Sequence, residues 1–281
     1  MKNLLIRTLS GAVLVAVVVA AILCSEGSLF ALTVLVTTGS LYEFYRLAAA
    51  GHPEKPSWTD LYSPVAVGVI VLMLGYLMIW KSLSPEYLLI LLPLLFLFFI
   101  LSLYRKEGNA FRTLGVQVLG LVYISVPMSL LLALGKQTAA DGTALYNAGL
   151  VLFYVILIWI NDVGAYLVGM SIGKHKLFER LSPKKSWEGF FGGLIFTVLA
   201  AVFLGPRMTG VENTPVWGWF IFGVVLTLSA VAGDLVESMF KREAGVKDSG
   251  HIIPGHGGFL DRFDAMFISL PFVYVLVRLM A

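Results

Sequence analysis

The sequence predicts an all-α, polytopic integral membrane protein of about nine transmembrane helices with its N-terminus in the cytoplasm. Three observations carry that reading. Of 281 residues, 58% are hydrophobic and only 13% charged, about half the charged share of a soluble domain. Charge-free runs recur at the roughly 17–25 residues that cross a bilayer as a helix, and they lack the two-residue alternation of a membrane β-barrel. The basic residues segregate: sixteen of the twenty Lys and Arg fall at the N-terminus and in every second connection, which marks those segments as cytoplasmic.

Taken in order, the predicted spans are Leu5–Leu23, Leu29–Leu47, Leu61–Trp80, Tyr87–Leu103, Leu114–Leu134, Leu145–Ile172, Gly189–Leu204, Trp217–Phe240 and Phe259–Met280. The first follows Lys2 and Arg7. Its uncharged stretch is long for a signal peptide, and Leu23 before Cys24 makes a poor cleavage site, so a retained helix is expected. The second ends in the segment that holds Glu43 and Arg46, and the Pro-punctuated loop HPEKPSW (52–58) precedes the third. The remaining connections are short or moderate, which leaves no room for an inserted soluble domain. Cys24 is the only cysteine, and this excludes an intrachain disulfide or a cysteine metal cluster.

The two halves differ in chemistry. Residues 1–140 form a region of apolar helices, a scaffold, dimer or lipid-facing part, in which Glu43 is the main polar exception and no residue shows chemical spacing. Residues 141–281 form the expected catalytic region, since Asp162, Asp234 and Glu237 stand within predicted spans. Acidic groups in the hydrocarbon cost several kcal/mol on most scales, so they need a polar interior and a partner. On a helix, Asp234, Ser238 and Lys241 share a face at i, i+4 and i+7.

The segment from Ser238 to Asp264 is the most polar of the chain. The stretch from Ala265 to Val277 is only thirteen residues long, so the last helix has to begin near Phe259 and draws Asp261 and Asp264 into its first turn. Two like charges at i and i+3 repel unless a cation lies between them, and hard carboxylate oxygens suit Mg²⁺ completed by phosphate oxygens and water. The glycines of PGHGG (254–258) permit close backbone approach at a helix N-terminus, an anion-binding arrangement. Lys241, Arg242, Lys247 and Arg262 add positive charge, and SPKKSWEG (182–189) sets Lys184 and Lys185 before a helix that Ser186 caps. Metal ligands, phosphate-binding cations and glycine access together point to phosphoryl or nucleotidyl transfer at the membrane surface.

Plainer readings stand beside these. Lys184 and Lys185 also serve as topology determinants, His251 and His256 as ordinary loop residues, and an acidic pair at a helix start as dipole compensation. Asp162 with Tyr166, Gly169 and Gly173 also describes a small-residue packing seam. From a different class, a cation-coupled transporter would use Asp162, Asp234 and Glu237 as an ion path, but transporters show paired repeats and here the polar groups all lie in one half.

Ser238-x-x-Lys241-Arg242, Lys247-Asp248-x-Gly250, Pro254, His256-Gly257-Gly258 and Asp261-Arg262-x-Asp264 resemble the full signature of the phosphatidate cytidylyltransferases, the CDP-diacylglycerol synthases. Asp162 and SPKKSWEG are similar to the same family. The resemblance covers the C-terminal half; the N-terminal half matches only as hydrophobic helices. It implies transfer of CMP from CTP to phosphatidic acid with Mg²⁺, giving CDP-diacylglycerol and pyrophosphate in phospholipid biosynthesis. It also implies a homodimer. The topology, with its basic loops on one side and no transit peptide, suits a bacterial inner membrane with the active site facing the cytoplasm, and no nucleic-acid partner is expected. Under that resemblance Asp234, Asp261 and Asp264 are the expected metal ligands, and Asp234, Lys241, Asp248, Asp261 and Asp264 the expected catalytic residues. Ser238, Arg242, Lys247, His256, Gly257, Gly258, Arg262, Lys184 and Lys185 are expected to bind substrate. The Asp-Gly-x-x-Ala-Arg run of the CDP-alcohol phosphatidyltransferases is absent.

Overall fold

A computed structural model describes residues 2–50, 57–104, 109–139, 142–211, 214–255 and 257–280. Among these, nine helical stretches are long and apolar enough to cross a membrane, in agreement with the predicted spans. The helices are α1 (Lys2–Cys24), α2 (Glu26–Ala50), α3 (Trp58–Trp80), α4 (Leu91–Ser102), α5 (Ala110–Gly120), α6 (Val126–Leu134), α7 (Ala148–Ile172), α8 (Trp187–Met208), α9 (Val216–Glu243) and α10 (Leu260–Met280). A 3₁₀ segment, Pro85–Ile90, leads directly into α4, so the two form one span. A π-helical turn, Leu121–Ser125, joins α5 to α6. Pro127, two residues beyond it, has no N–H to donate and its ring opposes the carbonyl four residues back, which accounts for the widened turn.

Two short antiparallel hairpins were not anticipated: β1 (Lys136–Thr138) with β2 (Ala144–Tyr146), and β3 (Lys176–Phe178) with β4 (Ser182–Ser186). The first takes Leu145 and Tyr146 out of the sixth predicted span, which starts at Ala148 instead. Asn147 fixes that start, because its side chain caps the Leu150 N–H at 2.9 Å and so satisfies one of the donors a helix end leaves open.

The chain forms two compact units that interleave in sequence. The first contains 1–21, 26–133 and 240–263; the second contains 22–25, 134–239 and 264–281. In the first unit, Phe44, Tyr123 and Phe240 meet edge to face or tilted, with ring centroids 5.6–6.0 Å apart. The Tyr45 hydroxyl donates to the Gln117 carbonyl at 2.9 Å. Phe240 thereby seats the end of α9 against α2 and the π turn.

In the second unit, Phe153 meets Trp219 edge to face at 5.5 Å. The Trp219 ring in turn lies over Gly205, where an added Cβ would stand 2.5 Å from the indole. Tyr154 and Ser269 share a hydrogen bond of 2.6 Å inside this core. Helices α7 and α8 pack through small residues: a Cβ on Gly193 would meet Asn161 Oδ1 at 2.7 Å, and one on Gly189 would meet the Ala165 carbonyl at 2.8 Å.

These contacts separate two kinds of glycine. Gly205→Ala forces a methyl into the Trp219 ring and is expected to destabilise the detergent-solubilised protein by about 1–3 kcal/mol. Gly115→Ala, at a site where a Cβ meets nothing within 4 Å, is expected to leave thermal unfolding unchanged or raise its midpoint slightly. Thermal melts of the two variants beside the parent check this.

Candidate functional site

The polar stretch read from the sequence is divided between the two units. In the first unit α9 ends through Gly245, whose φ of +69° suits glycine and allows the Val246 N–H to return to the Lys241 carbonyl at 2.9 Å, a helix-terminating turn of the left-handed type. The chain then loops through Lys247, Asp248 and His251, all exposed. It closes on itself where the Ile253 N–H donates to the Gly257 carbonyl at 2.9 Å. Gly255 and Gly257 have φ of +75° and +84°, values a side chain would strain. His256 lies outside the described residues.

Asp261, in the first turn of α10, holds this loop together. Its Oδ1 accepts from Lys241 Nζ at 2.8 Å, in a pair whose side chains are 13% and 5% exposed. Its Oδ2 accepts from the Ser249 N–H at 3.0 Å, the Ser249 hydroxyl at 2.9 Å and the Gly258 N–H at 2.9 Å. One carboxylate thus ties the end of α9, both ends of the loop and the start of α10. Arg242 and Arg262 are exposed on either side of the loop in sequence.

The helices of the N-terminal half also reach this loop. On α1, the Ser10 hydroxyl donates to the Pro254 carbonyl at 2.8 Å. On α2, Glu43 is buried and its Oε2 accepts from the Leu260 N–H at 2.9 Å and from the Ser249 hydroxyl at 3.0 Å. Sequence reasoning gave Glu43 no role, because its partners lie more than two hundred residues away. The one available signal was the cost of an acidic group in a spanning helix.

The second unit gathers the other acidic residues. Lys185 Nζ, at the end of β4, lies 2.6 Å from Asp234 Oδ2, and the Ser238 hydroxyl reaches Asp234 Oδ1 at 3.4 Å. The Asp264 carboxyl stands within electrostatic reach of Asp234, Asp162 and Lys185, and its Oδ1 accepts from the Ala265 N–H at 2.8 Å. Helices α9 and α10 approach closely here, since a Cβ on Gly233 would meet the Asp264 carbonyl at 2.6 Å.

The loop that presents Lys185 is itself anchored. Ser186 caps α8 through the Gly189 N–H at 3.1 Å, as its position before the helix predicted. Glu188 accepts from the Lys174 and His175 N–H groups at 3.1–3.3 Å and from His175 Nδ1 at 2.6 Å. Lys184, one residue before Lys185, is exposed. Gly169 and Gly173 do form a packing seam, each with a prospective Cβ against Ser186 Oγ, whereas Asp162 is exposed.

Among the described residues no group of three or more His, Cys, Asp or Glu side chains is arranged to hold a metal ion. The donor set of the second unit nevertheless fits a hard cation in kind. Asp234 and Asp162 both bear electrostatically on Asp264, and Lys185 supplies a positive charge beside them.

Comparison with known proteins agrees with this chemistry. Over 127 residues the chain is 44% identical to a phosphatidate cytidylyltransferase of Staphylococcus epidermidis, covering 45% of this chain and 48% of that protein. It is 50% identical over 125 residues to one of Haemophilus influenzae, covering 44% and 43%, and 45% identical over 129 residues to one of Staphylococcus aureus, covering 45% and 48%. The chain spans about half the length of the curated relatives it matches. Nothing in these matches supports a cation-coupled transporter. The cytidylyltransferase family matches over residues 5–280. Across nearly the whole of its length, therefore, the chain belongs to the cytidylyltransferase family.

Proposed function

We propose that this membrane protein is a phosphatidate cytidylyltransferase: it transfers CMP from CTP to phosphatidic acid, forming CDP-diacylglycerol and pyrophosphate. The observation that carries the reading is the loop tied by Asp261, set within a chain of the cytidylyltransferase family. Its glycines bring backbone close to a ligand, and Arg242, Lys247 and Arg262 stand exposed along it. Three relatives bearing the name phosphatidate cytidylyltransferase support the same substrates.

The chemistry needs little from the protein beyond placement and charge. An oxygen of the phosphatidate phosphate attacks the α-phosphorus of CTP, the bond from that phosphorus to the bridging oxygen breaks, and its electron pair leaves with pyrophosphate. The attacking oxygen is already anionic, so no Ser or Cys nucleophile and no general base are required. Lys241, Arg242, Lys247 and Arg262 neutralise the triphosphate and the departing pyrophosphate, and the loop fixes the line of attack. Ser238 and Lys185 orient Asp234, while Asp248, His256 and Lys184 are assigned to nucleotide or loop contacts.

Asp234 and Asp264 would hold Mg²⁺. When bound, the ion offsets charge developing on the phosphate oxygens. Asp261 is instead assigned to holding the loop through Lys241, Ser249 and Gly258. The proposal places the site on the cytoplasmic face of a bacterial inner membrane, following the basic-residue asymmetry, in a homodimer as the family resemblance implies.

Purified protein in detergent, supplied with phosphatidic acid, CTP and Mg²⁺, is expected to release pyrophosphate and form CDP-diacylglycerol. Asp264→Asn is expected to lower that rate by at least about 100-fold with the thermal melt preserved. A folded parent protein that makes no lipid product overturns the reading.

The two lysines of the 182–189 segment are expected to differ. Lys185→Ala removes the ion pair to Asp234 and should reduce kcat/KM by roughly 10- to 100-fold, the range of one lost charge-assisted hydrogen bond. Exposed Lys184→Ala should cost less than about 5-fold. Initial-rate kinetics on both variants measure the difference.

A further inference from the structure

We propose that Glu43 on α2 is a positioning residue that holds residues 249–250 and 258–260, the two ends of one loop, in place for the triphosphate of CTP, an inference that rests on the cytidylyltransferase reading above. Glu43 is 1% exposed. A carboxyl group buried in a spanning helix is costly enough that it normally serves a function or meets a strong partner. Its partners here are the two ends of one loop.

At the far end of the loop, Oε2 accepts from the Leu260 N–H at 2.9 Å. At the near end, it accepts from the Ser249 hydroxyl at 3.0 Å. Backbone closes around the same group: a Cβ on Gly258 would overlap both carboxyl oxygens, and one on Gly250 would overlap Oε1. Glycine at these two positions is therefore what lets the loop wrap the side chain.

Asp261 ties the same two ends from within, through the Ser249 and Gly258 N–H groups. The Ser249 hydroxyl lies 2.9 Å from Asp261 Oδ2 and 3.0 Å from Glu43 Oε2. Having one hydrogen, it donates to one of them at a time. The bond to Leu260 N–H is the one that Glu43 alone supplies. Glu43 makes no contact with the reacting atoms in this assignment; it acts through the loop, so its loss should weaken nucleotide binding rather than slow the chemical step.

The test measures CDP-diacylglycerol formation by the whole protein in detergent with CTP and phosphatidic acid varied separately. A folded parent without product disposes of the parent reading; with an active parent, the variants judge Glu43 alone. Glu43→Ala is expected to raise KM for CTP by about tenfold, the factor carried by one hydrogen bond to a carboxyl group, with KM for phosphatidic acid and kcat within about threefold. Glu43→Gln keeps an acceptor oxygen for Leu260 N–H and should recover most of the CTP affinity.

Gly258→Ala, which crowds the carboxyl from the loop side, should raise KM for CTP similarly. In the double variant Glu43→Ala with Gly258→Ala, the vacated space admits the methyl, so the combined effect should fall short of the product of the single effects by about fivefold or more. If Glu43→Ala does not fold, Glu43→Gln and Gly258→Ala decide: a Glu43→Gln variant retaining near-parental KM for CTP, with Gly258→Ala raised, supports the assignment. A folded Glu43→Ala with parental KM for CTP, or fully multiplicative effects in the double variant, overturns it. So does a change confined to kcat.

Discussion

The first unit turns on one carboxylate. Asp261 receives the Lys241 ammonium, the Ser249 and Gly258 N–H groups and, in alternation with Glu43, the Ser249 hydroxyl, so a buried charge is matched by an opposite charge and by hydrogen bonds. Burial of an ion pair is unfavourable unless that second condition is met. Because the donors come from a helix end, a loop and a helix start, satisfying Asp261 electrostatically also determines the path of the backbone. A glycine-rich segment thereby has both of its ends, at Ser249 and Gly258, held by one side chain.

The second unit solves a different problem by similar means. Asp234 and Asp162 both bear electrostatically on Asp264, and the answering charge comes from Lys185 on a short hairpin. That hairpin is secured by the Ser186 cap and by Glu188, which gathers two backbone donors and a His175 nitrogen. A lysine on an unsupported loop would sample many positions and hold Asp234 weakly. Here the side chain that faces the acid is carried by a backbone with few alternatives.

Much of this was legible because membranes impose simple rules. Charge-free runs of spanning length point to the nine spanning stretches found among the described residues, and the short apolar run after Ala265 predicts a last helix that starts near Phe259; it starts at Leu260, so Asp261 lies in its first turn and Asp264 just beyond it. Ser186 was readable as a cap from its position alone. The hairpins were not, since three-residue strands such as Lys176–Phe178 carry no periodicity long enough to register. Nor was the role of Glu43, because its partners Ser249 and Leu260 are adjacent only after the chain has folded. The separation of Asp261 and Asp264 into different sets of partners was equally hidden: spacing predicts that two side chains leave a helix on one side, and says nothing of which lysine waits for each.

The long reach of the loop's anchors bears on the order of assembly. Ser10 and Pro254 are separated by 244 positions, Glu43 and Leu260 by 217. During synthesis the first two helices enter the bilayer long before their partners leave the ribosome, so the Glu43 carboxyl has to be accommodated for that interval without the groups that finally satisfy it. Closing contacts so distant in sequence is slow by the ordinary cost of ordering a long chain. The 249–260 segment is accordingly among the last elements to take form, and a nascent chain holds most of its membrane helices well before it holds these contacts.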